Sequence, residues 1–274
     1  LIIERAEGRT LVDVNGDRYL DGISSLWTNV HGHNHPQMNQ AISEQLERVA
    51  HSTLLGQAGV PSIVLAKRLS ELLARIDGPE APLTRTFFSD SGSTGVEVAL
   101  KMAFQYQQQT GATARTRFAA LSEAYHGDTM GSVSVGGIDL FHKIYRPMLF
   151  DAVRVPAPDH ARPEEEAPCL EAAERCFAEH GAEIAALVVE PLVQGAAGMR
   201  MHSPAFLRSI IEMARRAGAL VICDEVAVGF GRTGTMFAME QVGIRPDIIV
   251  LAKGISGGYL PLAATVVNET IFDA

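Results

Sequence analysis

Five short, almost uniformly apolar runs recur along the chain: Thr86–Phe88, Phe118–Leu121, Ala185–Val189, Leu220–Cys223 and Ile248–Leu251. Segments with a three-to-four-residue apolar repeat, such as Val96–Gln109 and Ala205–Ala217, lie between them. Uninterrupted apolar strands separated by helices fit strands buried on both faces of a mostly parallel sheet, so the pattern predicts an α/β fold. In open sheets of this kind ligands bind beyond the carboxyl ends of the strands. The polar residues that end the runs are therefore where chemistry is expected: Ser89-Asp90-Ser91-Gly92-Ser93, Glu190, Asp224 and Lys253.

Upstream, Thr10–Val14 and Arg18–Asp21 alternate around Asn15-Gly16, a hairpin signal. Spacing of Met38, Ile42, Leu46 and Val49, then of Ile63 to Leu73, predicts two helices with Pro36 and Pro61 near their starts. The Pro- and Glu-rich stretch 156–168 reads as a solvated connection. With 274 residues the chain can bury a large core as one large or two modest domains. A net charge of -9 disfavours non-specific nucleic-acid binding. Asp224-Glu225 and Lys253 break the best apolar stretches, so no membrane span is expected. Cys169, Cys176 and Cys223 lack metal-ligand spacing, which favours reduced thiols and a cytoplasmic protein. The start at Leu1, without Met, and an end at the onset of a helix read as part of a longer protein.

Lys253 follows an apolar run and precedes Gly254, Gly257 and Gly258, which places an amine beside backbone that a ligand can approach. Burial would lower its pKa and make it a nucleophile, whereas a lysine snorkelling from a strand end is the plainer alternative. Asp224 ends the preceding strand and needs a partner, either a ligand's protonated pyridine nitrogen or a structural cation. Asp90–Gly95 joins a strand to a helix, so its N–H groups and hydroxyls form a phosphate site or simply a cap. Tyr125-His126-Gly127-Asp128 could cover a planar cofactor, and Glu190 could accept a hydrogen bond there or cap the next element. Gly229–Gly234 matches GxGxxG, but the following segment is too short for a crossover helix and no ribose-binding acid follows. His31, His33 and His35 converge poorly for a metal.

Taken together, VICDEVAVGFGRTG ending at Gly234 and LAKGISGG around Lys253, with a spacing of 29 from Asp224 to Lys253, resemble the class III (fold type I) pyridoxal-phosphate aminotransferases. The stretches 24–36, 90–106, 125–136 and 190–201 are similar to the biotin-pathway branch of that class. The resemblance implies pyridoxal phosphate as cofactor, residues 1–35 as part of a small domain, and 36–274 as an incomplete cofactor-binding domain. It implies Lys253 as Schiff-base lysine and proton shuttle, Asp224 as partner of the pyridinium, and Gly92 and Ser93 as phosphate ligands. Tyr125 would stack on the ring and touch substrate, while His126, Glu190 and Val226 would complete the cofactor pocket. Leu26 and Trp27 would line the substrate pocket; many relatives carry two tryptophans there. That departure leaves the donor as adenosylmethionine or lysine, with a keto amino acid acceptor. A homodimer, and an acceptor-binding arginine further along a complete chain, are also implied. Another ω-amino acid transaminase, a non-catalytic cofactor-binding protein and, remotely, a nicotinamide dehydrogenase are the alternatives.

Overall fold

The structure, a computed structural model, describes residues 1–274. Its first 20 residues form an antiparallel sheet of β1 (Ile3–Glu7), β2 (Thr10–Asp13) and β3 (Arg18–Leu20), in that order. The β2–β3 turn differs from the expected one, since Gly16 takes a positive φ of 87° and Asn15 does not. Instead the Asp13 carboxylate accepts the N–H groups of Asn15 and Asp17 and closes the turn through its side chain. The two expected helices are Pro36–Leu46 and Val60–Leu73, with proline at the first and second positions respectively, where a missing N–H costs nothing.

A seven-stranded sheet follows: β4 (Leu83–Ser89), β5 (Arg117–Leu121), β6 (Val153–Val155), β7 (Ile184–Val189), β10 (Leu220–Asp224), β11 (Ile248–Leu251) and β12 (Ala263–Asn268). A separate two-stranded ribbon, β8 (Val193–Gln194) with β9 (Arg200–Met201), interrupts the numbering. The large sheet has the order β4-β12-β11-β10-β7-β5-β6, and β12 alone runs against the rest. All five apolar runs are strands of it. Alternation explains why they are apolar throughout: Ala186 and Val188 of β7 face the helix Gly92–Gln109, whereas Leu187 and Val189 belong to the opposite cluster. Val96, Ala99, Leu100 and Ala103 fill the first face, and Phe177, Phe206, Leu207, Ile210 and Ile211 the second. Cys223 is a fully buried core thiol.

The stretch 156–168 is only partly open connection, because a helix over Glu166–His180 begins inside it. No helix is long and apolar enough to cross a membrane. Register fixes the functional edge. Cys223 lies opposite Val189 and Asp224 opposite Val250, so Asp224, Glu190 and the segment after Leu251 reach one level at the carboxyl edge. Because β12 returns antiparallel and sets Ala263 against Ser89, the loop from Lys253 to Leu262 closes over that same edge.

Candidate active site

A cavity of about 1520 Å³ opens at the carboxyl edge. Its lining includes Leu26, Trp27, Gly92, Ser93, Tyr125, His126, Glu190, Asp224, Val226 and Lys253, the ten residues singled out from the sequence. They come from six separate stretches, which only the sheet topology brings together.

Lys253 begins the turn after β11 with φ +48°, a left-handed conformation costing roughly 1 kcal/mol or more in a residue with a Cβ. Its Nζ lies 4.7 Å from the centroid of the Trp27 ring. Burial lowers the pKa of the amine, against the opposing pull of Asp224 and Glu190. Gly254 is required beside it, since a Cβ there would meet the Phe230 side chain at 2.9 Å.

Asp224 is buried, with Oδ2 2.8 Å from His126 Nδ1 and Oδ1 accepting the Val226 N–H at 3.0 Å. His126 is thus positioned to hold the carboxylate from behind. Its Nε2 is buried and has no protein partner. Glu190 accepts the N–H groups of Tyr125 at 2.9 Å and Gly195 at 3.1 Å. Burial and, secondarily, the Asp224 charge raise its pKa to about 7, against the opposing effects of His126 and the two N–H donors. Gly195 in turn supports the indole, because a Cβ there would lie 3.1 Å from Trp27 Cη2.

At the opposite end of the cavity the helix Gly92–Gln109 starts behind the cap Ser91, whose Oγ accepts the Thr94 N–H. Helix starts leave their first N–H groups without intrahelical partners, and here those belong to Gly92 and Ser93. Gly92 allows close approach: a Cβ would lie 2.7 Å from Val226 Cγ1. The Ser93 hydroxyl, expected to contact phosphate, already accepts the Thr129 N–H at 2.9 Å and pairs with Thr129 Oγ1 at 2.8 Å. Thr129 and Glu97, which accepts the Gly131 N–H, fix this corner and were not singled out from the sequence. The adjoining YHGDT run was the available signal.

Tyr125 stands beside Phe141 and His142, and burial followed by the Asp128 carboxylate pushes its phenol up to about 12. Trp27 closes a left-handed turn in which Ser24, Ser25, Leu26 and Trp27 have φ of +47°, +39°, +60° and +69°. Nothing in Ser-Ser-Leu-Trp signals this, because glycine and asparagine are the residues that normally mark positive φ. Asp21 holds the turn by accepting the Ser25 N–H and Oγ–H, and Arg232 donates to the Trp27 carbonyl at 3.0 Å. His33 contacts Asp21 at 2.8 Å, while the His31 and His35 rings are 6.0 Å apart. The GFGRTG segment precedes a helix of only four residues, Met239–Val242, and Glu225 anchors its far side by accepting the N–H groups of Ala238 and Met239.

A buried carboxylate backed by imidazole, a desolvated amine and free helix N–H groups around one cavity fit a planar heterocycle with a basic nitrogen, a carbonyl and a phosphate. Gly92 is an observation of that fit, since any side chain there would run into Val226 and crowd the free N–H groups.

The chain belongs to the class-III aminotransferase family, whose model matches residues 1–274. It is 58% identical over 281 residues to the adenosylmethionine-8-amino-7-oxononanoate aminotransferase of Nitratidesulfovibrio vulgaris, covering 99% of this chain and 51% of that protein. The enzyme of the same name from Anoxybacillus flavithermus is 48% identical, with 100% of this chain and 60% of that one covered. The crystal structure of the Methanocaldococcus jannaschii enzyme of that name matches all of this chain and 60% of its own at 39% identity and TM-score 0.90. An amine transaminase from an uncultivated Pseudomonas species, in its PLP-bound form, matches 100% of this chain and 62% of its own at 38% identity and TM-score 0.93. The chain thus spans between half and about three-fifths of the relatives it matches.

Proposed function

We propose that this chain forms part of a pyridoxal-phosphate-dependent transaminase that converts 8-amino-7-oxononanoate to 7,8-diaminononanoate in biotin biosynthesis. The amino donor is adenosylmethionine or lysine. The observation that carries the reading is the convergence of Lys253, the Asp224–His126 pair and the free N–H groups of Gly92 and Ser93 on one cavity. Identity of 58% to a relative named for this reaction narrows the substrates.

Pyridoxal phosphate, when bound, supplies an electron sink for the pair released at the substrate carbon. Asp224, oriented by the His126 imidazole at 2.8 Å, would pair with the protonated pyridine nitrogen and sustain that capacity. The Gly92 and Ser93 N–H groups would bind the phosphate at the positive end of the helix. Tyr125 and Val226 line the cavity and would flank the ring, and Glu190 fixes Tyr125 through its backbone. Lys253 Nζ, its basicity lowered by burial, would hold the cofactor through its carbonyl and, as a free amine, would be the group that accepts and returns a proton in the cavity. Leu26 and Trp27 bound the substrate side of the cavity.

Residues 1–35 serve as part of a small domain and 36–274 as the cofactor-binding domain. Three free cysteines suit a cytoplasmic enzyme. The exposed Leu55, Leu140, Ile144 and Met148 suit burial against a second copy in a homodimer. A second reading, an ω-amino acid transaminase of other specificity, is favoured by the TM-score of 0.92 to the Thermomicrobium roseum (S)-enantioselective ω-transaminase at 36% identity. Steady-state assays of the complete protein with 8-amino-7-oxononanoate, pyruvate and 2-oxoglutarate separate the two: preference for the first supports the leading reading, and its rejection overturns it.

A further inference from the structure

The hydroxyls of Ser93, Thr129 and Ser132 meet at one end of the cavity, and the directions of their hydrogen bonds follow from counting protons. Ser132 Oγ donates to the Ser93 carbonyl at 3.0 Å, because a carbonyl oxygen can only accept. Each hydroxyl carries a single proton, so the 3.1 Å contact between Thr129 Oγ1 and Ser132 Oγ is donated by Thr129. The Thr129 proton is then spent, and the 2.8 Å contact between Ser93 Oγ and Thr129 Oγ1 is donated by Ser93. The Thr129 N–H donates to Ser93 Oγ as well, at 2.9 Å. The chain of hydroxyls thus closes on Ser93, whose proton is turned toward Thr129. Its geometry is held from both sides. A Cβ on Gly127 would overlap Ser93 Oγ, so the loop passes directly against that hydroxyl. Glu97, one helical turn after Ser93, accepts the N–H groups of Gly131 at 2.6 Å and Ser132 at 3.3 Å. Ser93 and Thr129 are both half-buried and both line the cavity.

We propose that Thr129 is a positioning residue for the cofactor phosphate, acting through the Ser93 hydroxyl. This rests on the reading above that the phosphate sits at the start of the helix Gly92–Gln109. A hydroxyl donates one bond and accepts two, and Ser93 Oγ already fills one acceptor position with the Thr129 N–H. An ionised phosphate oxygen is a stronger acceptor than the Thr129 hydroxyl, so it draws the Ser93 O–H toward the cavity. Thr129 then turns its own O–H from Ser132 to Ser93, with no heavy atom displaced. In this arrangement Ser93 Oγ accepts twice from Thr129 and donates to phosphate, and the accepted bonds polarise its O–H. Valine at 129 keeps the backbone donor and loses the hydroxyl, whereas serine keeps both.

The test titrates the complete, cofactor-free protein and its Thr129→Val and Thr129→Ser variants with pyridoxal phosphate, with pyridoxal, which lacks the phosphate, and with inorganic phosphate as competitor. In Thr129→Val, binding of pyridoxal phosphate weakens about five-fold and inorganic phosphate competes less well by a similar factor, whereas pyridoxal stays within about two-fold. Thr129→Ser stays within about two-fold of the parent for each of them. Pyridoxal phosphate binding that is unchanged in Thr129→Val overturns the proposal and leaves the phosphate reading standing. Equal losses of pyridoxal phosphate and pyridoxal, with a lowered melting temperature of the cofactor-free variant, overturn it in favour of a packing role. A parent protein that binds pyridoxal phosphate no more tightly than pyridoxal overturns the phosphate reading and the proposal with it.

Discussion

The chemistry of this chain is concentrated in polar residues that the fold takes out of water. Lys253 is desolvated, Asp224 is held by His126, and two buried carboxylates, Glu190 and Glu225, have pKa values raised to about 7. Lys253→Ala in the complete protein is expected to lower transamination on the order of 10³-fold or more, measured as steady-state turnover. Glu225 predicts a pH effect on stability. Its folded pKa, about 7, lies above the ordinary 4.5, so between these values the folded state binds more protons than the unfolded one. Its contribution to stability therefore falls as pH rises through that window. Glu225→Gln keeps an acceptor oxygen but cannot ionise. In urea unfolding of the cofactor-free protein, the difference in stability between parent and variant should shift against the parent from pH 5 to pH 7. A difference independent of pH would contradict this. At this scale Lys253 and Asp224 were legible because each interrupts an apolar run. Thr129 and the left-handed turn at Trp27 were not, because their roles come from contacts with residues distant in the chain.

Two elements hold the site in place through their ends. The helix Gly92–Gln109 begins with a reciprocal pair, Ser91 Oγ accepting the Thr94 N–H and Thr94 Oγ1 accepting the Ser91 N–H. Ser91→Ala should destabilise the protein by about 1 kcal/mol, read from denaturant unfolding, and weaken cofactor binding by loosening the N–H groups at that end. On the opposite edge Arg115 donates to the carbonyls of Gly181, Ile184 and Ala217, tying two helix ends to the start of β7. Arg115→Met strands those carbonyls, and a loss of about 2–4 kcal/mol in the same measurement is expected. Strands buried on both faces were readable as continuous apolar runs. β6 was not, as three residues with an exposed Arg154 between Val153 and Val155 make no pattern. The Ala- and Thr-containing β12 also escaped notice, and its reversed direction follows from topology that a local window does not contain.

For the whole molecule, the decisive fact is that one sheet edge gathers an amine, a carboxylate–imidazole pair and a helix N-terminus around a common cavity. The strand-end rule located that edge in the sequence, but the loop from Lys253 to Leu262 closing over it depends on where β12 pairs. A ligand bound only by the folded state stabilises it, by about 4 kcal/mol at a thousandfold excess over Kd. Pyridoxal phosphate should therefore raise the melting temperature of the complete protein, and raise it less in Gly92→Ala, whose added methyl meets Val226. The central claim, that Lys253 carries pyridoxal phosphate, is tested most directly by reducing the reconstituted protein with borohydride and mapping its peptides. The account predicts a visible absorption band that bleaches on reduction, with the cofactor fixed to the peptide that holds Lys253. A colourless complete protein, or label on a different lysine, would contradict it.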